Sequence, residues 1–248
     1  MLEGQRIVFP EPGKVEIETF SVDERDLGPT DVVVRTLVTA ISPGTELARL
    51  SGKGLGLVDM PEPARFLPGY ASIGTVLAVG ADVSVQPGER VYTMAHHASV
   101  ARVDARRQLC VPAPAGLASE EAVFVRLATV SMTTLLTTIA RGGDAVAVVG
   151  LGLVGNLAAQ IFQHCGMRVS AIDRSAARRA VAERCGLRAV YGPGDLPALA
   201  RRHRLVIEAS GSAAGLASAV GLTASGGEIV MVGAPWGGDT NSVPSGLK

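Results

Sequence analysis

Two rhythms of apolar and polar residues divide the chain. From Arg6 to about Val111, short strand-like runs fall at 15–19, 32–38, 74–79, 90–94 and 99–103. Glycine and proline mark nearly every junction, as in Pro12-Gly13, Pro43-Gly44, Pro68-Gly69 and Pro87-Gly88, so each run is predicted to end in a turn. This half reads as a partly closed β-domain. The stretch 111–116, Val-Pro-Ala-Pro-Ala-Gly, then shifts the composition. Ser119-Glu120-Glu121 opens an Ala-, Leu- and Thr-rich helix, with Ser119 in the N-cap position.

Beyond Gly143 strand and helix alternate. Strands are predicted at 145–149, 168–172, 189–191, 205–209 and 228–232, and helices at 156–165, 176–185 and 213–223. Such βαβ units build a parallel sheet. The expected fold is therefore α/β, with a β-domain over residues 1–126 and a doubly wound parallel sheet over residues 127–248.

Composition narrows the chemistry. Lys plus Arg and Asp plus Glu both total 23, so no net charge draws the chain to nucleic acid or to an anionic membrane. No apolar stretch is long and unbroken enough to span a bilayer, and the N-terminus lacks the basic start and apolar run of a signal peptide. Three cysteines, Cys110, Cys165 and Cys185, are too scattered for a disulfide framework or a Cys-x-x-Cys site. A cytoplasmic setting and a small-molecule substrate are expected. Core packing is the default for Cys165 and Cys185, and Leu157, Ile161 and Phe162 are read as the sheet-facing side of their helix. His164 and His203 also read as structural.

The strongest motif is Gly150-x-Gly152-x-x-Gly155, placed after a strand and opening a helix. The first glycine permits the turn, the second lets the backbone approach a pyrophosphate, and the third lets helix and sheet pack closely. Phosphates would sit at the positive end of the helix dipole. Asp173 ends the next strand 18 residues after Gly155, where a carboxylate accepts hydrogen bonds from ribose hydroxyls and repels a 2′-phosphate. This favours NAD over NADP, although Arg174, Arg178 and Arg179 lie within reach of such a phosphate. Three arginines opening a helix also fit a merely solvated face.

The whole chain resembles the medium-chain dehydrogenase/reductase superfamily. Gly88-Glu89-Arg90-Val91 is similar to its Gly-Asp-Arg-Val, Gly143-Asp144-x-Val146 precedes the fingerprint strand as in that family, and Glu208-Ala209-Ser210-Gly211 resembles its fourth-strand motif. The resemblance implies a GroES-like barrel followed by a Rossmann domain. It also implies hydride transfer between nicotinamide and a substrate, and a homodimer for the full-length form. The cofactor-binding set is then Gly150, Gly152, Leu153, Val154, Gly155, Asp173, Arg174, Arg178, Ser210 and Gly233.

Zinc-dependent members hold their metal with Cys-Gly-Thr-Asp and Gly-His-Glu motifs. The matching stretches here are Ser42-Pro43-Gly44-Thr45-Glu46 and Pro68-Gly69-Tyr70-Ala71-Ser72, and the third ligand position falls near Ala128-Thr129. Pro43 replaces the thiolate and Tyr70-Ala71 replaces His-Glu, so no zinc is expected. Both altered motifs resemble a zinc-lacking group that includes bacteriochlorophyllide dehydrogenases. Without a metal, Tyr70 is the leading proton-relay candidate, with Glu46 and Thr45 beside it. Alternatively the Tyr70 ring only packs beneath the nicotinamide, and Glu46 only anchors its loop through backbone amides. His96 and His97, on a turn between strands, either line the pocket or are an incidental exposed pair. Trp236 either walls the cleft or packs against residues beyond this chain.

The resemblance implies six Rossmann strands where the pattern yields five, and 239–248 reads as a loop, so the domain is expected to be incomplete. The competing readings are a zinc-free oxidoreductase acting on an alcohol or carbonyl, a catalytically silent NAD-binding module, and an NADPH-dependent quinone or enoyl reductase.

Overall fold

The computed structural model describes residues 1–52 and 65–233, and the chain divides between Arg126 and Leu127 into two compact units. The first is built from antiparallel strands. β1 (Leu2–Val8) pairs with β2 (Glu16–Val22). β3 (Asp31–Thr39) leads through helix α1 (Pro43–Leu50) to β4 (Ser72–Val79), β5 (Arg90–Thr93), β6 (Val100–Asp104) and β7 (Cys110–Pro112). These five strands form one sheet in the order β6-β3-β4-β5-β7. Val32, Val33 and Val34 are all buried because both faces of β3 are covered. Val32 and Val34 join Val76 and Val91 on one side, and Val33 joins Val22 and Val100 on the other. Two helices follow, α2 (Ser119–Ala122) and α3 (Val125–Leu136).

The second unit runs β8 (Ala145–Val149), α4 (Leu153–His164), β9 (Arg168–Ile172), α5 (Ala176–Arg184), β10 (Val190–Tyr191), α6 (Leu196–Leu199), β11 (His203–Glu208), α7 (Ala213–Leu222) and β12 (Thr223–Met231). The strands form one parallel sheet in the order β10-β9-β8-β11-β12. Alternate residues serve opposite faces. Val146, Val148, Leu205 and Ile207 pack on Phe162 of α4 and Ala182 of α5, whereas Ala147, Val149 and Val206 pack on Ala219 and Leu222 of α7. Apolar runs rather than alternation are what a sheet covered on both faces requires. The strand order reverses between β8 and β11, which opens a crevice at their carboxyl ends. The fold is thus α/β, a GroES-like β-domain followed by a Rossmann sheet.

Several local expectations need correction. Residues 2–8 and 110–112 are strands, and 43–50 is a helix rather than a loop. Ser119 is the first helical residue and Ala118 holds the N-cap position. The Ala118 amide is satisfied by Glu121 instead, at 3.0 Å. The buried side of α4 is Gly155, Asn156, Ala158, Ala159 and Phe162, with Leu157 and Ile161 on its flank.

Cys165 and Cys185 are exposed, not core. Each occupies a helix C-cap and is followed by a glycine of positive φ, Gly166 or Gly186. The next amides close back on the last turn, Met167 to Phe162 and Leu187 to Ala182, both at 3.1 Å, in paired Schellman motifs. Trp236 and 239–248 lie outside the described residues.

Candidate functional site

The chemistry-bearing residues of the second unit converge at the carboxyl edge of its sheet. Gly150 leaves β8 with φ +95°, and a Cβ there would lie 2.6 Å from the Ser210 amide nitrogen. At Gly155 a Cβ would lie 1.9 Å from the Gly150 carbonyl oxygen, so only glycine lets α4 start this close to β8. Gly152, the N-cap of α4, is different. Among the described residues, a Cβ there would meet nothing within 4 Å, and no side chain caps the helix. The first amides of α4, from Leu153, Val154 and Gly155, have no acceptor within the helix by its geometry. Open space above uncapped amides suits an anionic group.

Asp173, at the end of β9, is buried. Its Oδ2 accepts the Leu151 amide at 2.7 Å and its Oδ1 accepts the Ser175 amide at 2.7 Å. The carboxylate expected to accept ribose hydroxyls therefore also braces the glycine turn, with a further lone pair left on each oxygen. Arg178, largely exposed, stands 3.7 Å from Oδ2. Arg179 donates to the carbonyls of Asp173 and Arg174 at 2.8 and 3.1 Å, so its guanidinium is held by backbone, while Arg174 is exposed.

Ser210 and Gly233 gather around Glu208, which lies outside the expected set. Glu208 is 1% exposed. Its side chain accepts the amides of Ser210 and Gly211 at 2.9 and 3.2 Å and also the Ser210 hydroxyl. Its carbonyl accepts the amides of Val232 and Gly233 at 2.8 and 2.9 Å. Glu208 thus fixes the loop that follows β11 through its buried carboxylate and the residues that follow β12 through its carbonyl. The sequence signal was a charge closing an otherwise apolar run.

In the first unit, three segments meet around a buried polar chain. His97 is 5% exposed rather than part of an exposed pair. Its Nε2 lies 3.0 Å from Glu46 Oε2 and its Nδ1 lies 2.8 Å from Thr39 Oγ1. Glu46 is equally buried, and its Oε1 accepts the Ser42 amide at 2.9 Å. Both oxygens of Glu46 are therefore used inside the fold, one of them to anchor its own helix. The His97 amide donates to the Pro68 carbonyl at 2.8 Å, which holds it against the Gly69-Tyr70 turn.

Tyr70 is half-buried and packs against the cluster of Ala40, Ala71, Ile73 and Tyr92. Its carbonyl accepts the Tyr92 hydroxyl at 3.2 Å, and burial pushes the Tyr92 phenol up to about 12. Thr45 is half-buried on α1, and His96 is exposed with Nδ1 3.2 Å from the Gly69 carbonyl.

His203 serves the core. Its ring bonds Ser170 Oγ at 3.0 Å and the Leu222 carbonyl at 3.3 Å, and burial lowers its pKa. Among the described residues no group of three or more His, Cys, Asp or Glu is arranged to hold a metal ion, and no helix is long and apolar enough to cross a membrane. The positions that the resemblance assigns to zinc ligands carry Pro43, Tyr70 and the Ala128-Thr129 pair.

Residues 154–247 match the family model of zinc-binding dehydrogenases. The chain is 26% identical over 241 residues to the 2-desacetyl-2-hydroxyethyl bacteriochlorophyllide A dehydrogenase of Cereibacter sphaeroides, covering 92% of this chain and 73% of that protein. Among solved structures it resembles a Sinorhizobium meliloti 1021 protein assigned as a zinc-binding dehydrogenase and bound to NADP. That match has a TM-score of 0.80 at 21% identity and covers 100% of this chain and 79% of the other. It also resembles a short chain alcohol dehydrogenase from Escherichia coli CFT073 complexed with NADH, with a TM-score of 0.77 at 18% identity, covering 92% and 76%.

Proposed function

We propose that this member of the medium-chain dehydrogenase/reductase superfamily is an NAD(H)-dependent oxidoreductase that interconverts an alcohol and a carbonyl without catalytic zinc. The observation that carries the reading is the Gly150–Gly155 turn. Two of its glycines are demanded by backbone contact, while Gly152 stands over space that none of the described residues fills. A pyrophosphate needs that space and the uncapped amides of α4 beside it.

Bound NAD would supply the hydride acceptor. The chain's part is to hold and orient it. Leu153, Val154 and Gly155 would offer amides to the phosphates. Asp173 would use its remaining lone pairs for ribose hydroxyls, and the loops fixed by Glu208 would border the nicotinamide side. The cofactors in the similar structures differ, NADP in one and NADH in the other, so Asp173 supports the choice of NAD by its charge.

The zinc-free reading rests on residue types. The matched dehydrogenase model spans residues 154–247, whereas the ligand positions fall at Pro43, Tyr70 and Ala128-Thr129, and neither proline nor alanine donates an electron pair from its side chain. Tyr70 would hydrogen-bond the substrate oxygen. The hydroxyethyl group in the name of the Cereibacter relative supports a secondary alcohol on a small or amphipathic molecule.

Calorimetric titration with NADH and NADPH tests the cofactor reading. NADH is expected to bind more tightly, and Asp173→Ala to narrow the gap. A preference of the unaltered protein for NADPH refutes the assignment, and binding of neither refutes the family activity.

A further inference from the structure

We propose that the second unit carries a further ligand site, at the amino edge of its sheet, for a small organic anion that bears several negative charges and at least one hydroxyl. The site is separate from the glycine turn and goes beyond the function proposed above.

A cavity of about 770 Å³ opens at that edge, and every residue lining it lies between Ala145 and His203. Ala145, Arg168 and His203 are the first residues of β8, β9 and β11, so the cavity lies a strand's length, about 15 Å, from the carboxyl ends that lead to Gly150 and Asp173. Its walls include three arginines, Arg168, Arg188 and Arg202, and neither aspartate nor glutamate. Arg168 donates its Nε–H to the Gly143 carbonyl at 3.1 Å. The guanidiniums of Arg188 and Arg202 have no hydrogen bond or ion pair among the described residues. A concave wall lined by one sign of charge concentrates counter-ions, and guanidinium forks match carboxylate and phosphate oxygens.

Ser170 and His203, which also line the cavity, add a requirement that charge alone does not impose. His203 is 2% exposed, and its Nδ1 lies 3.3 Å from the Leu222 carbonyl oxygen. A carbonyl only accepts, so Nδ1 carries the hydrogen. Burial, and then the Arg202 charge, lower the His203 pKa, so the ring is neutral near neutrality and Nε2 is a bare lone pair. Ser170 Oγ lies 3.0 Å from Nε2 and donates its one proton there. What the half-buried Ser170 oxygen offers the cavity is acceptor capacity alone. A carboxylate or phosphate oxygen meets those lone pairs unfavourably, whereas a ligand hydroxyl satisfies them. The arginines therefore select charge, and Ser170 selects a donor on the same molecule.

Calorimetric titration with citrate, and with tricarballylate, which lacks only its hydroxyl, tests this at neutral pH and low ionic strength. Citrate is expected to bind once per chain and about three- to tenfold more tightly than tricarballylate, the worth of one hydrogen bond. Ser170→Ala should bring citrate down to the level of tricarballylate and leave the latter unchanged. Arg188→Gln with Arg202→Gln, both on exposed positions, should weaken both ligands at least about tenfold. Gly152→Ala, at the opposite edge of the sheet, should leave citrate binding as it is. Glucose 6-phosphate separates the two sources of charge: tighter binding than citrate, weakened by the same variants, assigns a phosphate, and weaker binding assigns carboxylates. Binding of neither citrate nor glucose 6-phosphate overturns the proposal. So does citrate that binds no better than tricarballylate, that is indifferent to the arginine pair, or that is lost in Gly152→Ala.

Discussion

Replacing Gly155 and Gly152 separately by alanine should divide stability from binding. At Gly155 the new Cβ would fall 1.9 Å from the Gly150 carbonyl oxygen, more than an ångström short of the 3.0 Å that real Cβ contacts keep, and 3.0 Å from the Ala209 Cβ. The near neighbour is backbone, so relief requires α4 to move off β8. Overpacking of this kind costs about 1–3 kcal/mol, with backbone clashes at the upper end. For a unit of this size that corresponds to a Tm lower by about 10 °C. At Gly152 the Cβ meets nothing, and the backbone, at φ −65° and ψ −173°, is open to alanine. Gly152→Ala should leave the Tm little changed, since the gain of about 0.4–1 kcal/mol from restricting the unfolded chain is offset by a loss of about the same size when alanine replaces glycine at the N-cap. Its methyl would nonetheless occupy the space assigned to the pyrophosphate, and NADH affinity should fall at least about tenfold, or 1.4 kcal/mol. Differential scanning fluorimetry and calorimetry on the same samples read both quantities. If Gly152→Ala binds NADH as well as the unaltered protein, the phosphates do not lie over that residue and the site assignment is wrong.

Tyr70→Phe should lower turnover by about 10²–10⁴-fold with cofactor affinity little changed if the phenol relays a proton, and an unaltered rate would leave the ring a packing role. Purified protein should contain no stoichiometric zinc, and chelators should leave NADH binding intact; one zinc per chain by elemental analysis would contradict this. Tyr92, raised by burial from 10.0 to about 12, favours the neutral phenol in the fold. Its contribution to stability is therefore complete below pH 10 and is lost as pH rises through 12, a decline that Tyr92→Phe should abolish in denaturant titrations at alkaline pH.

Legibility from sequence followed the physics of each element. β8 and β9 were readable because a strand buried on both faces is apolar without interruption, and the glycine fingerprint because backbone contacts at Gly150 and Gly155 exclude every other residue. β1 was not, since Gly4, Gln5 and Arg6 interrupt any alternation and its pairing with β2 comes from residues further along the chain. α1 was hidden by Pro43-Gly44, which reads as a turn. Yet proline in the first helical turn followed by an acidic residue is also a helix start, and that was the available signal. His97 was the largest loss. Its burial depends on Glu46, 51 positions away, and Thr39, 58 positions away, distances over which local patterning carries no information. Cys165 and Cys185 were misread because the apolar period of their helices runs up to them. The glycine after each marks a Schellman stop that turns the cap outward and sends Met167 and Leu187 into the core instead.

The brace between Asp173 and the Leu151 amide would make the two ends of the proposed dinucleotide site mechanically one object. A ribose hydroxyl that draws on Asp173 shares its acceptor with the very loop that must shape itself around the phosphates. Adenosine and pyrophosphate, offered as separate fragments, would then not bind as independent ligands, because each changes the stiffness of the turn the other meets. Their coupling free energy would be a property of this one carboxylate, equal in both directions, and it would vanish in a protein whose glycine turn stood on its own.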